Sequence, residues 1–324
     1  MHPLTFRPIY RNYLWGGRRF ATALGRELPG EGLFAESWEL VDHGRDQSLV
    51  AWGELEGTSL GDLVRTRGEE LLGRHAGCPS FPLLFKFLDA AADLSVQVHP
   101  DDSRAARLSP PDRGKTEAWY VVDAEPGSRI YAGLRQGIDT AALRRGIETG
   151  TLANCLHAFE PRPGDCVFIP AGTLHAIGAG LLIAEIQQAS DVTYRLFDWN
   201  RVGPDGKPRE LHVEAGLEAV TRFTPVEPVE PRPATLAEGD GERSLLVSCD
   251  YFTLARLTAG PAGRFEVGGD DVPHFLAVLA GDATLPAWSM PPLGVGRCVL
   301  LPACLGKQVI STRPGSVLLE ISLP

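Results

Sequence analysis

The stretch LSVQVHPDD, Leu94 to Asp102, alternates Ser95, Gln97 and His99 with Val96 and Val98. Successive side chains of a strand point to opposite faces, so the three polar groups share one side and the two valines the other. An isolated S-x-Q-x-H pattern fits a surface strand whose polar side meets water. It also fits, as the less common case, a strand whose polar side lines an interior and faces a polar object. Pro100 ends the strand, and Asp101 and Asp102 are expected to face solvent or to cap the following turn.

The surrounding chain has an all-β texture. Its 324 residues include 36 Gly and 26 Pro that punctuate short apolar or alternating runs, the pattern of many strands joined by turns. Expected strands include ESWELVD (36–42), PLLFKFLD (82–89), EAWYVVD (117–123), DCVFIPA (165–171), LLIAEIQQ (181–188) and TYRLFDW (193–199). Later come YFTLARLT (251–258), HFLAVLAG (274–281), CVLLPA (298–303) and SVLLEIS (316–322). Helical spacing is confined to 59–74 and 139–159, the second with Asp139 as N-cap. The segment from Thr224 to Arg243 is rich in Pro and acidic residues and reads as a linker or extended crossing. The expected division is a first unit over 1–225 with a small helical insertion near 135–160, a crossing over 226–242, and a second unit over 243–324.

The two units echo each other. Gly164 to Ala171 and Gly296 to Ala303 share a Gly-x5-Pro-Ala spacing. Aligning them sets Lys307 opposite His175, and aligning the preceding strands sets His274 opposite Glu117. This is the signature of a duplicated fold whose second copy lost its polar site.

Composition narrows the function classes. A net charge of −10 argues against nucleic acid or an anionic membrane as partner. No signal-peptide core or membrane-length apolar run is visible, and six scattered cysteines lack C-x-x-C spacing, so a cytoplasmic protein with reduced thiols is expected. Only four of the 31 basic residues are lysines: Lys86, Lys115, Lys207 and Lys307. Lys86 interrupts the apolar run FPLLFKFLDA, where a lysine is rarely buried unless paired.

Three segments carry metal-ligand residue types: Gln97 with His99, Glu117 in GKTEAWYVV, and His175 in PAGTLHAIG. A His on one strand, a Glu soon after and a G-x5-P-A-G-x2-H hairpin resemble the metal site of the cupin barrel. The resemblance tightens with YRNYLWGG (10–17), ESWEL (36–40), PLLFKFLDAAADLSVQVHPDD (82–102) and PAGTLHAIGAGLLIAEIQQASDVTYRLFDWNR (170–201). With these motifs the chain resembles a type I mannose-6-phosphate isomerase of the short bacterial form.

That resemblance implies a mainly all-β bicupin of two β-barrel or jelly-roll domains. The first would be catalytic and metal-binding, the second a degenerate cupin. It implies one zinc ion (Zn2+) per chain on Gln97, His99, Glu117 and His175, and active-site roles for Lys115, Arg195 and Asp191. The expected reaction interconverts mannose 6-phosphate and fructose 6-phosphate through a cis-enediol. The proton shuttle stays open among Lys115, Glu185, Asp191 and a metal-bound water. The phosphate is expected on Lys86 and Arg195, with Ser95 as a hydroxyl donor, since no phosphate-binding loop motif is present. A monomer or homodimer fits. The alternatives are another metal-dependent cupin acting on a different sugar phosphate, or a non-catalytic sugar-binding cupin.

Overall fold

The computed structural model describes residues 1–202, 206–234 and 241–324. Its strands are β1 (Ile9–Arg11), β2 (Glu36–Leu40), β3 (Leu83–Ala90), β4 (Val96–Val98), β5 (Glu117–Ala124), β6 (Ile130–Leu134) and β7 (Leu156–Phe159). They continue as β8 (Cys166–Ile169), β9 (His175–Ile177), β10 (Leu181–Gln188), β11 (Tyr194–Phe197), β12 (Arg232–Ala234) and β13 (Gly241–Ser248). The last are β14 (Thr253–Ala259), β15 (Arg264–Val267), β16 (His274–Ala280), β17 (Cys298–Leu301), β18 (Gln308–Ser311) and β19 (Val317–Ser322). Two-residue ladders are left unnumbered.

Three sheets organise them. One has the order β1-β2-β3-β10-β5-β8, a second β11-β4-β9-β6-β7, and a third β12-β13-β14-β19-β16-β17. The mainly all-β architecture expected from the sequence is the one observed. Apart from the added edge strands β1 and β12, the first and third sheets have the same order, and their registers match. Glu117 pairs with Ile169 as His274 pairs with Leu301, and Glu117 pairs with Gln187 as His274 pairs with Ser322. The duplication read from the Gly-x5-Pro-Ala spacing is therefore present in the backbone.

Each face of the first sheet has its own apolar cover. Leu88, Trp119, Val121, Val167 and Ile183 pack inward with Ile130, Ala132 and Ile177 of the second sheet. Phe85, Phe87, Ala118, Ala184 and Ile186 pack outward on Leu254, Phe275, Ala277, Leu319 and Ile321 of the third. A sheet buried on both sides needs apolar residues at both parities, which is why PLLFKFLDA reads as a continuous run. Leu83, Phe85 and Phe87 of β3 lie in the core shared with the C-terminal unit, while Lys86 and Leu88 point to the interior of the first unit.

The opening alternation resolves in the same way. Val96 and Val98 lie beneath helices α2 (Thr140–Glu148) and α3 (Val213–Ala219), with Leu143, Leu217 and Ala219. The surface-strand alternative is excluded, because the apolar side is covered by helices and the polar side faces the barrel interior.

The helical expectations need two adjustments, the first being that α3 lies outside both expected segments. Ser59 caps helix α1 (Leu60–Leu72) by accepting from the Asp62 amide, close to the expected 59–74. Asp139 caps α2 as expected. That helix does not run to 159: Gly150 takes a positive φ of 69°, a short 3-10 turn follows at Leu152–Cys155, and Leu156–Phe159 becomes a strand. A glycine adopts the left-handed conformation without a Cβ penalty and so stops the helix there. Within the expected crossing over 226–242, Arg232–Ala234 forms the edge of the third sheet; residues 235–240 of that crossing lie outside the described residues.

Candidate functional site

Strand register assembles the site from two facing rows. In the second sheet Arg195 pairs with Gln97 and Gln97 with His175, so three neighbouring strands present these side chains on one face. In the first sheet Trp38, Lys86, Glu185 and Trp119 form a row across four strands. Between the rows is a cavity of about 280 Å³ lined by Lys86, Ser95, Gln97, Lys115, Glu117, His175, Glu185, Asp191 and Arg195. Of the ten residues singled out from the sequence, nine line this one cavity. The tenth, His99, stands beside it with its ring 4.9 Å from that of His175.

His99, Glu117 and His175 are each only 1% exposed, and one potential ligand atom from each lies within 4.8 Å of the others. Glu117 Oε1 is 3.3 Å from His175 Nε2, and Glu117 Oε2 is 3.6 Å from His99 Nε2. The Gln97 amide is 3.4 Å from His175 Nε2. His99 Nδ1 lies 2.8 Å from the Val192 carbonyl and His175 Nδ1 2.9 Å from that of Thr173. A carbonyl can only accept, so each Nδ1 carries the proton and each Nε2 presents its lone pair inward.

Burial, reinforced by the Lys115 ammonium, pushes the His99 pKa well below its usual value. Burial likewise takes His175 down to about 4. Both rings are thus neutral and able to ligate near neutrality. His99 Nε2 and Glu117 Oε2 are buried atoms without a hydrogen-bond partner, although the Lys115 ammonium is 3.3 Å from the latter. Buried polar atoms are ordinarily satisfied, and a divalent cation would satisfy both. The residues fit a metal ion; the set of imidazoles, one carboxylate and one amide suits a borderline cation of the zinc type.

A run of alternating charges crosses the floor of the cavity. Lys86 Nζ lies 3.4 Å from Glu36 and 3.5 Å from Glu185. Lys115 Nζ lies 3.9 Å from Glu185 and 3.3 Å from Glu117. Burial alone would disfavour the Lys86 ammonium, but Glu185 and Glu36 outweigh it and its pKa rises above the ordinary lysine value. This lysine is therefore buried and paired, not snorkelling to solvent. Burial raises the Glu185 carboxyl above the usual range against the pull of Lys86. On the opposite wall Arg195 Nε donates to Ser95 Oγ at 3.3 Å, and Asp191 stands at the exposed mouth.

Several lining residues had no clear signal in the sequence. Glu36 accepts from Trp38 Nε1 at 2.6 Å and partners Lys86; its only trace was its place in ESWEL. Tyr13, Trp15 and Arg209 also line the cavity. They arrive from loops, where no periodicity marks direction.

Among the described residues the second unit has no matching site. His274, the counterpart of Glu117, lies between Glu320 (Nδ1 to Oε1, 2.9 Å) and Asp270 (Nε2 to Oδ1, 2.8 Å). Register makes Glu320 the counterpart of Glu185, and it also accepts from Arg243 at 2.9 Å. Lys307 does not stand in the barrel as the repeat alignment implied. It is exposed and 3.8 Å from Glu266, on a turn that Gly306 starts with a positive φ.

Comparison with known proteins shows the family and the fold. The family model described as phosphomannose isomerase type I, catalytic domain, matches residues 4–123. The mannose-6-phosphate isomerase ManA of Bacillus subtilis is 34% identical over 310 residues, 94% of each chain. That of Streptococcus mutans is 34% identical over 284 residues, 87% of this chain and 86% of the other. The crystal structure of mannose 6-phosphate isomerase from Bacillus subtilis superposes with a TM-score of 0.88 at 29% identity, over 99% of both chains. A chain that shares a third of its residues with such enzymes over nearly its full length, and nearly all of its fold, belongs to the type I phosphomannose isomerase family and is an enzyme of the mannose-6-phosphate isomerase class.

Proposed function

We propose that this chain interconverts mannose 6-phosphate and fructose 6-phosphate through a cis-enediol, with one zinc ion held by Gln97, His99, Glu117 and His175. The observation that carries the reading is the convergence of the His99, Glu117 and His175 ligand atoms within 4.8 Å, beside a cavity that also holds buried cations. When bound, the metal supplies a Lewis acid that stabilises negative charge on a substrate oxygen.

The chain's own residues do the rest. The isomerisation removes the proton from C2 of the open-chain aldose and returns one to C1, while a second proton passes between O1 and O2. Glu185, its carboxyl raised above the ordinary range by burial and lining the cavity beside Lys86 and Lys115, is the first candidate for the proton shuttle. Lys115, 3.9 Å away, is positioned to exchange protons with the substrate oxygens and to stabilise charge there. Asp191 at the mouth is the third candidate. Arg195 and Ser95 meet the phosphate from one wall, and Lys86 adds a positive charge from the other. Residues 1–225 form the catalytic unit in this reading, and 243–324 a cupin-like unit without a metal site.

The test is a coupled isomerase assay on metal-analysed protein, before and after chelation. Loss of turnover with the chelator and its return with zinc are expected, and Glu117→Gln should lose both metal and activity. Turnover that persists in metal-free protein would refute the metal role, and bound zinc without turnover on mannose 6-phosphate would refute the substrate.

A further inference from the structure

A hydrogen-bonded path joins the C-terminal unit to the segment that carries Lys115 and Glu117. Tyr251 Oη donates to Asp102 Oδ2 at 2.7 Å. The other oxygen of Asp102 accepts from the Gly114 amide at 2.8 Å and from Gln188 Nε2 at 3.0 Å. Gln188 Oε1 in turn accepts from the Thr116 amide at 2.9 Å, and the Lys115 amide donates to the Pro100 carbonyl at 3.1 Å. Three consecutive backbone amides leading into Glu117 are thus held by residues outside the cavity.

The fit at Gly114 is close. A Cβ there would lie 2.5 Å from the Asp102 nitrogen and 2.7 Å from the Asp101 carbonyl carbon. Of the acidic pair expected to face solvent or cap the following turn, Asp101 caps it by accepting from the Arg104 amide at 2.9 Å. Asp102 is left with an oxygen for each side of the junction.

We propose that Asp102, held by Tyr251 of the C-terminal unit, is a positioning residue that fixes the Gly114–Thr116 backbone so that Lys115 and Glu117 enter the cavity in register. The C-terminal unit then contributes to turnover through this contact and not through a second site. The role rests on Lys115 and Glu117 acting as set out under Proposed function.

The experiment compares Asp102→Ala, Asp102→Asn and Tyr251→Phe with wild type in the full, zinc-loaded chain. It measures kcat and KM on mannose 6-phosphate, the chelator concentration that strips half the metal, and thermal unfolding. Outer-shell partners of metal sites are typically worth 10–100-fold, and this one acts through the backbone, so Asp102→Ala is expected to lower kcat and the half-stripping chelator concentration by about tenfold each. Tyr251→Phe removes one hydroxyl, and about threefold is expected in kcat with KM unchanged. Asp102→Asn keeps an acceptor for Gly114 and Gln188 and offers its NH2 to the tyrosine oxygen, so it should recover to within about twofold.

Wild-type kcat and metal retention in both Asp102→Ala and Tyr251→Phe would overturn the proposal, as would a change confined to KM or to thermal stability. Should Asp102→Ala not fold, Tyr251→Phe decides alone, its lowered kcat supporting and a wild-type kcat overturning. Lys115→Ala separates the two levels. Its loss of turnover beside wild-type kcat in the other variants overturns positioning only, whereas full turnover in Lys115→Ala overturns the site reading and the positioning with it.

Discussion

Replacing His274 by glutamine should change stability in a strongly pH-dependent way. The ring is buried and faces Asp270 through Nε2 and Glu320 through Nδ1, with Arg243 behind Glu320. Burial alone would lower its pKa, but the two carboxylates reverse this and hold it at about 9 against an ordinary 6.5. A folded-state pKa above the unfolded value means stabilisation that is fully present below about pH 6.5 and lost as pH rises through about 9. At about 1.36 kcal/mol per unit, the shift is worth about 3 kcal/mol at pH 6, about 2.5 at pH 7 and under 0.5 at pH 9.

The assay is urea unfolding of wild type and His274→Gln between pH 6 and 10. The difference between the curves is the informative quantity, because the depressed pKa values of His99 and His175 act equally in both proteins and subtract out. The difference should shrink by about 2 kcal/mol between pH 7 and pH 9. A difference that stays constant over this range would refute the imidazolium and leave His274 as an ordinary hydrogen-bonded residue.

Phe275→Ala should cost about 3–5 kcal/mol in chemical denaturation, because the ring is buried against Phe85 at 5.0 Å, where the third sheet covers the first; a loss below about 1 kcal/mol would contradict that packing. Glu185→Gln should lower kcat by about 10²–10⁴-fold with metal content intact, and a near-wild-type kcat would move the proton shuttle to Lys115 or Asp191. Arg195→Lys keeps the charge but loses the planar fork, so KM for the sugar phosphate should rise by about tenfold or more; an unchanged KM would remove Arg195 from the phosphate.

The residues proposed to carry the chemistry were legible because strands have a period of two. Ser95, Gln97 and His99 on one parity, an isolated Glu117 opening a strand and His175 after a Pro-Ala-Gly turn are local facts, as are the Gly and Pro that separate the strands. These, with the motif order, determined the all-β class, the ligand types and the duplication.

Which face is the inside is not local, because a strand alternates identically whether its polar side meets water or a barrel. Only the tertiary structure decided it, by laying helices over Val96 and Val98 and the third sheet over Phe85 and Phe87. Partner choice depended on the same step. Lys86 meets Glu36 and Glu185 because the pairing of three strands brings them together, and Tyr251 reaches Asp102 across 149 residues of chain. Alternation along a chain sets side-chain direction, but long-range pairing sets what lies in that direction, and so the sequence named most of the site while the packing of three sheets joined its parts.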